Sequence, residues 1–252
     1  MYKKILLSIA VLGLCSCASS SSGVGEDSKL EAYNKAMFEF NYQLDKKLIK
    51  PVATGYANIT NKFMRNRVKS FFNNLEEPTY MVNNLLQGEI KNTGISVGRF
   101  VVNTTLGLFG MFDVAAGWGL EKKKTTFDAT MAKYCIPDGP FVVLPVVGPS
   151  TPRHLVGWTA DAYMSPLYWS LSNSDSQKEN LIVWGTTGLK YINLRAENMA
   201  LLDSLESSSV DFYEASKSAF MQNRKKFISL CSKNDEEDIP NYDFDFEEDY
   251  ED

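Results

Sequence analysis

One short stretch of the chain matches the pattern of a hydrolase nucleophile. Ser96 lies in the sequence Gly-Ile-Ser-Val-Gly, and His154 follows as a candidate base. Asp128 or Asp138 would complete the chain order of a lipase or esterase triad. Such a turn needs a buried strand before the serine, and residues 89–93, Glu-Ile-Lys-Asn-Thr, are too polar for one. We therefore predict that the chain is not an enzyme and that Ser96 packs within a helix, with hydrolysis as the alternative.

The N-terminal residues point to covalent lipid attachment. Two lysines precede the apolar run Ile5–Leu14, which is too short to span a bilayer and is typical of a secretory signal. The run leads into Leu-Cys-Ser-Cys17, which resembles a bacterial lipobox with Cys17 as the acylated residue. Residues 1–16 are therefore predicted to be a lipoprotein signal peptide. An ordinary signal peptide, cut near Ala18, is the alternative.

The residues after Cys17 indicate which membrane the anchor enters. Positions 18 and 19 are Ala and Ser, without the aspartate associated with retention at the inner membrane. Each buried CH₂ of an acyl chain contributes about 0.8 kcal/mol to membrane binding, so a multiply acylated cysteine is a firm anchor. We expect a lipid-anchored protein on the periplasmic face of the outer membrane. Residues 17–27, rich in Ser and Gly, are expected to be a flexible tether.

The remaining cysteines and the single histidine limit the chemistry. Cys135 and Cys231 could form a disulfide in the oxidising periplasm, or remain buried free thiols. One histidine and no close cysteine pair in the mature chain argue against a zinc site. The sequence contains no phosphate-binding glycine loop and no nucleic-acid-binding module. We therefore predict no metal, no cofactor and no nucleic-acid partner.

The charge is unevenly distributed along the chain. The formal net charge is −5, but eleven carboxylates and no base lie between Asp235 and Asp252. From Cys17 to Asn234 there are 20 acids and 24 bases, an excess of four bases. A mildly basic body suits an anionic surface. Residues 233–252 are expected to be a disordered acidic tail, with cation or basic-partner binding as the alternative.

Apolar periodicity predicts a single, mainly α-helical domain over residues 28–232. A capping box at Ser28 should start the first helix, which Pro51 should stop or kink, and Glu76-Glu-Pro78 should start another. The Gly-rich residues 106–120 and the Gly/Pro-rich residues 137–152 should be irregular, with little β structure. Further helices are expected over residues 52–61, 65–75, 76–87, 89–105, 151–163, 177–189, 191–205 and 209–228.

Several motifs together carry a family resemblance. They occur in family order over about residues 30–228, and the Asn-Leu-Glu-Glu-Pro and Leu-Gly-x-x-Gly-x-x-Asp-Val-Ala patterns are the most specific. By these motifs the chain resembles the MlaA (VacJ) family of outer-membrane lipoproteins. The motifs span residues 34–42, 50–53, 72–78, 81–88, 99–115, 139–149 and 195–205.

The resemblance implies a fold and a function. The family fold is a ring-like, amphipathic helical domain that lies in the inner leaflet of the outer membrane. Its channel takes mislocalised phospholipids from the outer leaflet and passes them to a soluble periplasmic carrier, which maintains lipid asymmetry. The implied partners are glycerophospholipids, the outer membrane, a trimeric porin and that carrier. A scaffold lipoprotein that transports nothing is a further alternative.

The resemblance and the residue pattern together suggest candidate site residues. The candidate lipid-channel residues are Phe38, Asn41, Tyr42, Phe109, Phe112 and Asp113. The candidate contacts to headgroups or the membrane are Lys122, Lys123 and Lys124. Each set has a simpler interpretation: ordinary core packing for the aromatic stripe of the first helix, a buried turn capped by Asp113, and a solvated loop for the lysines.

Overall fold

The computed structural model describes residues 24–166, 168, 177–229 and 231. The predicted signal peptide, Cys17, most of the tether and the acidic tail lie outside the described residues. The predicted mainly α fold is confirmed. Within the described part, the only β structure is a two-stranded antiparallel hairpin.

The N-terminal part of the domain is one long helical arm that contains a π-helical turn. Helix α1 spans Val24–Leu44, the π-helical turn spans Asp45–Ile49, and helix α2 spans Lys50–Ile59. The start predicted at Ser28 is wrong, because a capping box begins a helix only where the preceding residues leave helical geometry. Pro51 lies in the first turn of α2, where its missing N–H costs no helical hydrogen bond.

A helical hairpin follows, and its first arm differs from the prediction. Helix α3 spans Lys62–Leu86 without a break at Pro78, so the new helix expected at residue 76 is wrong. Proline removes one backbone hydrogen bond, but buried long-range partners, described below for Glu77, hold the chain helical on both sides. Helix α4 spans Ile90–Thr105, close to the predicted 89–105, and packs against α3.

The middle of the chain is irregular, as expected. Short helix α5 (Val114–Gly117) follows the Gly-rich turns, and short helix α6 (Phe127–Lys133) follows an irregular segment. Strands β1 (Val142–Leu144) and β2 (Gly148–Ser150) form the hairpin, in which Val143 pairs with Pro149. Helix α7 spans Pro152–Met164 and packs against α6.

The C-terminal helices close the domain onto these elements. Helix α8 spans Gln177–Glu197, α9 spans Met199–Ser208 and α10 spans Phe212–Ser229. The division expected between residues 189 and 191 is absent from α8; the break comes instead at Asn198. A disulfide joins Cys135 to Cys231, which decides between the two alternatives left open by the sequence.

Burial in this domain is unusual in its polarity. Polar and charged residues outnumber apolar ones among the fully buried side chains that the structure describes, and the largest of them is Arg99. Conversely, many large apolar side chains are exposed, including Ile59 at 81%, Phe109 at 74% and Val146 at 72%. No helix among the described residues is long and apolar enough to cross a membrane. Exposed apolar surface of this extent is typical of a surface that contacts lipid or a partner.

Candidate functional site

The Gly-rich turn between α4 and α5 exposes several large apolar side chains. Leu108 and Phe109 have positive φ angles of 51° and 59°, which expose their side chains at the tip of the turn. Gly110 also has a positive φ, and a Cβ there would lie 2.3 Å from Asn74 Cβ. Only glycine therefore lets this turn pack against α3. Further exposed apolar side chains lie on the turn and on helices α3 to α5: Phe63, Met64, Val97, Val101, Leu106, Met111, Phe112 and Trp118.

The base of this turn is held by a buried arginine, which we call the Arg99 cluster together with Glu77 and Asp113. Arg99 donates from Nε to Glu77 at 2.6 Å and from Nη2 to Asp113 at 2.7 Å. Asn103 also donates to Asp113, at 2.9 Å. Burial alone would raise the pKa of Asp113, but the hydrogen bond and charge of Arg99 hold it below its ordinary value. The carboxylate is therefore ionised and fixed at neutral pH.

Asp113 thus has a structural task in addition to any role toward lipid. It caps α5 by accepting a hydrogen bond from the Ala116 N–H at 3.2 Å. This matches the simpler interpretation, a capped turn, although the side chain is still 37% exposed. Phe112 and Phe109 are exposed on the same turn, so the structure brings these three candidate channel residues together.

The other three candidates lie on α1, beside the β-hairpin. Asn41 donates to Leu144 O at 2.8 Å and accepts from Val146 N at 2.6 Å, so it clamps the hairpin turn. Phe38 packs edge-on against Phe212 at a ring distance of 5.4 Å. These contacts belong to a region separate from the Gly-rich turn, so the six candidates form two groups.

A cavity of about 340 Å³ lies beside Phe38 and Tyr42. Its wall mixes aromatic rings with carboxylates, and the Tyr42 hydroxyl donates to Glu206 at 2.5 Å. The aromatic stripe of α1 therefore packs against α10 in part, as ordinary core packing would require, while one edge borders open space. A mixed wall of this kind can contact both an acyl chain and its polar end.

The three consecutive lysines behave differently from one another. The Lys122 ammonium is buried over the Tyr80 ring at 5.2 Å, with no hydrogen-bond acceptor in the described part of the chain. Burial lowers its pKa to about 8, although Glu76 opposes that shift. The prediction of a surface contact is therefore wrong for Lys122, because its charged end points inward. Lys123 pairs with Glu121 at 2.9 Å, and Lys124 is exposed.

A second buried cluster, which the sequence did not reveal, joins α6, α7 and α10. We call it the Asp128 cluster. Asp128 accepts from Arg153 Nε at 2.8 Å and from Arg224 Nη1 at 2.5 Å. Arg224 also binds Asp138, which accepts from Thr151 at 2.5 Å. Spacing carried no signal here, because the four charged residues span almost a hundred positions.

A cavity of about 260 Å³ borders the Asp128 cluster and contains the most perturbed carboxylate of the region. Asp161 accepts hydrogen bonds from Asn83 at 2.8 Å and from the Phe127 N–H at 3.0 Å. Burial raises its pKa to about 6, against the lowering effect of Asn83. Asp161 therefore changes charge in the mildly acidic range.

The described residues do not have the geometry that a hydrolase triad requires. Ser96 lies in the interior of α4 and is wholly buried, not at a strand-to-helix turn. His154 bonds through Nδ1 to Ser150 at 3.0 Å, next to the hairpin. The two candidate acids, Asp128 and Asp138, are engaged by arginines. The serine, base and acid of the motif are therefore not assembled into a triad.

Comparison with known proteins agrees with this architecture. The family model described as MlaA lipoprotein matches residues 26–227. A relative from Escherichia coli K12 is 33% identical, with 94% of each chain covered, and is named intermembrane phospholipid transport system lipoprotein MlaA. A relative from Rickettsia felis, named an uncharacterized protein, is 36% identical over 79% of this chain and 76% of its own.

A solved structure is also similar. It is described as the structural basis for maintenance of bacterial outer membrane lipid asymmetry, and it aligns with a TM-score of 0.66 at 32% identity. The alignment covers 79% of this chain and 98% of that chain. Sequence and fold therefore agree over most of the described domain, and the chain belongs to the MlaA lipoprotein family.

Proposed function

We propose that this chain moves intact phospholipids between the two membranes of a Gram-negative cell. It takes mislocalised phospholipids from the outer leaflet of the outer membrane and passes them, through a channel in a ring-like body, to a soluble periplasmic carrier. The 33% identity to a named transport lipoprotein over 94% of the chain is the observation that carries this proposal. Exposed apolar residues around a polar interior support it, because such a domain can sit among acyl chains.

The proposal includes the anchor. Cys17 is acylated after removal of residues 1–16 and ties the domain to the periplasmic face of the outer membrane. Residues 17–23 give slack between the acyl chains and the helical domain, and residues 233–252 form a solvated tail. The matched test is Cys17→Ser against Cys15→Ser, read by mass spectrometry of the mature protein. Loss of the acyl mass in the first variant alone is expected; loss in the second alone would move the anchor to Cys15.

The channel wall is proposed to include Phe38, Asn41 and Tyr42 at one end and the Gly-rich turn, with Phe109, Phe112 and Asp113, at the other. Lys123 and Lys124 are proposed to face lipid headgroups. A trimeric porin and the soluble carrier are the proposed protein partners. No cofactor is part of the mechanism, and the sequence contains no nucleotide-binding motif, so the free energy for net transport must come from another component.

The decisive experiment measures lipid asymmetry in cells that lack the chain. Phosphatidylethanolamine exposed on the cell surface is labelled with an amine reagent that does not cross membranes. We expect exposed phosphatidylethanolamine to rise in the deletion strain and to return to normal on complementation. Unchanged labelling would contradict the transport proposal.

Two alternatives are separated by further measurements. A scaffold lipoprotein need not hold lipid, whereas a conduit purified in mild detergent should carry phospholipid detectable by mass spectrometry. A hydrolase acting through Ser96 would release free fatty acid and lose that activity in Ser96→Ala. Under the transport proposal Ser96→Ala leaves asymmetry intact.

A further inference from the structure

Arg67 lies where the apolar exterior meets a positive charge. Its guanidinium carbon is 5.0 Å from the ring centroid of Phe63 and 4.7 Å from that of Phe112. Phe63 belongs to the first turn of α3 and Phe112 to the Gly-rich turn, with their rings 6.5 Å apart. Both rings are partly exposed to solvent. Cation–π contacts therefore hold the guanidinium against two aromatic side chains that face outward.

The hydrogen-bonding capacity of Arg67 is unused within the described residues. Its Nε is buried without an acceptor, and neither terminal nitrogen forms a hydrogen bond with the described residues. This sets it apart from Arg99 and Arg224, which bind carboxylates, and from Arg65, which binds backbone carbonyls. A guanidinium offers five donors in a planar fork. The unpartnered donors of Arg67 therefore point to an oxygen acceptor that the protein does not supply.

The surroundings favour an acceptor that is both anionic and amphiphilic. Between Lys46 and Leu75 the chain has seven bases and no acid. The two rings that the Arg67 guanidinium contacts are partly exposed, Phe63 at 60% and Phe112 at 38%. A free anion would satisfy the charge but leave the apolar surface in water. A phosphate joined to acyl chains satisfies both, and phosphate matches the bidentate geometry of arginine.

We propose that Arg67 binds the phosphate of a membrane glycerophospholipid whose acyl chains lie against Phe63 and Phe112. The bound phosphate fixes the height of the Gly-rich turn relative to the headgroup layer. This inference rests on the proposed function, since it requires the domain to sit in a phospholipid leaflet. It adds a lipid-binding residue at the membrane-facing rim.

The test uses a photocrosslinker in the full chain in cells. Met111 is exposed on the same turn, is not among the proposed channel residues and does not form part of the Arg67 contact, so Met111→p-benzoylphenylalanine reports on nearby lipid. Cells are labelled with ³²P, and crosslinked phospholipid is counted in the otherwise native chain, in Arg67→Gln and in Lys69→Gln. Lys69 is the matched control, because it lies on the same helix and pairs with Glu197 at 3.6 Å.

We expect Arg67→Gln to lower crosslinked phospholipid about tenfold, as for loss of a charge-assisted hydrogen bond. Arg67→Lys should lie between it and the native chain, and Lys69→Gln should match the native chain. An equal loss of crosslinked phospholipid in Arg67→Gln and Lys69→Gln would show a nonspecific effect of positive charge and would overturn the site. No loss in Arg67→Gln would also overturn it. A second arm titrates the purified chain with inorganic phosphate: saturable binding lost in Arg67→Gln would indicate a free-anion site and overturn the lipid assignment.

The same samples separate this inference from the proposed function. If the native chain purifies with phospholipid but crosslinking ignores Arg67, the site fails and transport stands. If the native chain neither crosslinks nor purifies with phospholipid, the proposed function fails as well.

Discussion

Two buried arginine clusters hold this domain together, and they differ in how far apart their parts lie in the chain. The Arg99 cluster joins residues between 77 and 120 and supports the exposed Gly-rich turn. The Asp128 cluster spans 96 positions between Asp128 and Arg224, and a disulfide closes a loop of similar length beside it. The first cluster therefore shapes a local surface, whereas the second closes the whole domain. We expect global stability to depend on the second and surface geometry on the first.

The largest effect is expected from Asp128→Ala. It leaves Arg153 and Arg224 buried without their shared carboxylate, which should cost about 4 kcal/mol of unfolding free energy. The measurement is urea unfolding followed by circular dichroism. Asp138→Ala is the comparison variant and should cost less, because Asp138 is more exposed than Asp128. A cost below about 1 kcal/mol for Asp128→Ala would contradict the closing role of the cluster.

Loss of the disulfide should come next. Cys135→Ser with Cys231→Ser opens a loop of 96 residues in the unfolded chain, and such losses cost about 2–4 kcal/mol. Because Arg224 and Asp128 tie the same ends together, the cost should change when Asp128→Ala is combined with the cysteine changes. Strict additivity of the two sets in unfolding experiments would show that the bridge and the cluster act independently.

Asp113→Ala should have a smaller effect on stability and a larger one on local geometry. It removes a helix cap and one charge partner of Arg99, at a cost of about 2 kcal/mol, since the side chain is partly exposed. Hydrogen exchange in residues 106–117 should accelerate, while exchange in α10 should not. If α10 loosens equally, the proposed division between a local and a closing cluster is wrong.

The smallest effect should be a pH dependence centred on Asp161. Its pKa is raised to about 6, so the folded state holds the proton more tightly than the unfolded state does. The stability that this provides is present below the ordinary pKa, near 4, and is lost as the pH rises toward 6. Asp161→Asn keeps an oxygen acceptor for Asn83, and it should be about 1 kcal/mol more stable than the native chain at pH 8.

Melting temperatures of both chains between pH 4 and pH 8 check this prediction. The difference between the two should grow with pH and level off above about 7. A constant difference across the range would mean that Asp161 does not titrate in this interval.

The helical class and several helix bounds could be predicted because they depend on local periodicity. Helix α4 was placed within one residue of each end, and α7 within one, since their apolar spacing and flanking prolines or glycines are local signals. The helix start predicted at Glu76-Glu-Pro78 is wrong because it used only local signals. The helix continues through Pro78 because buried Glu77 binds Arg99, which lies 22 positions further along the chain. Tertiary contacts of that kind leave no trace in a window of the sequence.

A candidate site residue could be predicted correctly only where the sequence indicates whether its side chain points outward or inward. The Gly-rich turn was recognisable from composition, and its apolar residues are indeed exposed. The inward direction of Lys122 could not be predicted, because three consecutive lysines are indistinguishable in the sequence. Only the packed structure places the Lys122 ammonium against the Tyr80 ring. Asp128 was named only as a candidate triad acid, and its buried pairing with Arg224 was missed, since a charge in a helix usually marks the solvated face. In this domain many charged side chains are buried and many large apolar side chains are exposed. Sequence rules that place charge outside and apolar residues inside therefore mislead here.

The π-helical turn of residues 45–49 has a consequence for how the first arm is used. One additional residue in a helical turn rotates everything after it by about 100° about the axis. Asn34 on one side of the turn therefore faces the hairpin, while Tyr56 on the other side reaches Asn193 of α8 at 2.9 Å. Asp45 is locked within the turn by two hydrogen bonds from Arg195, each of 2.9 Å. The π-helical turn thereby lets one helical arm contact two separate parts of the domain. Deleting a single residue from the turn would rotate Tyr56 away from Asn193 while Asn34 kept its contact with the hairpin.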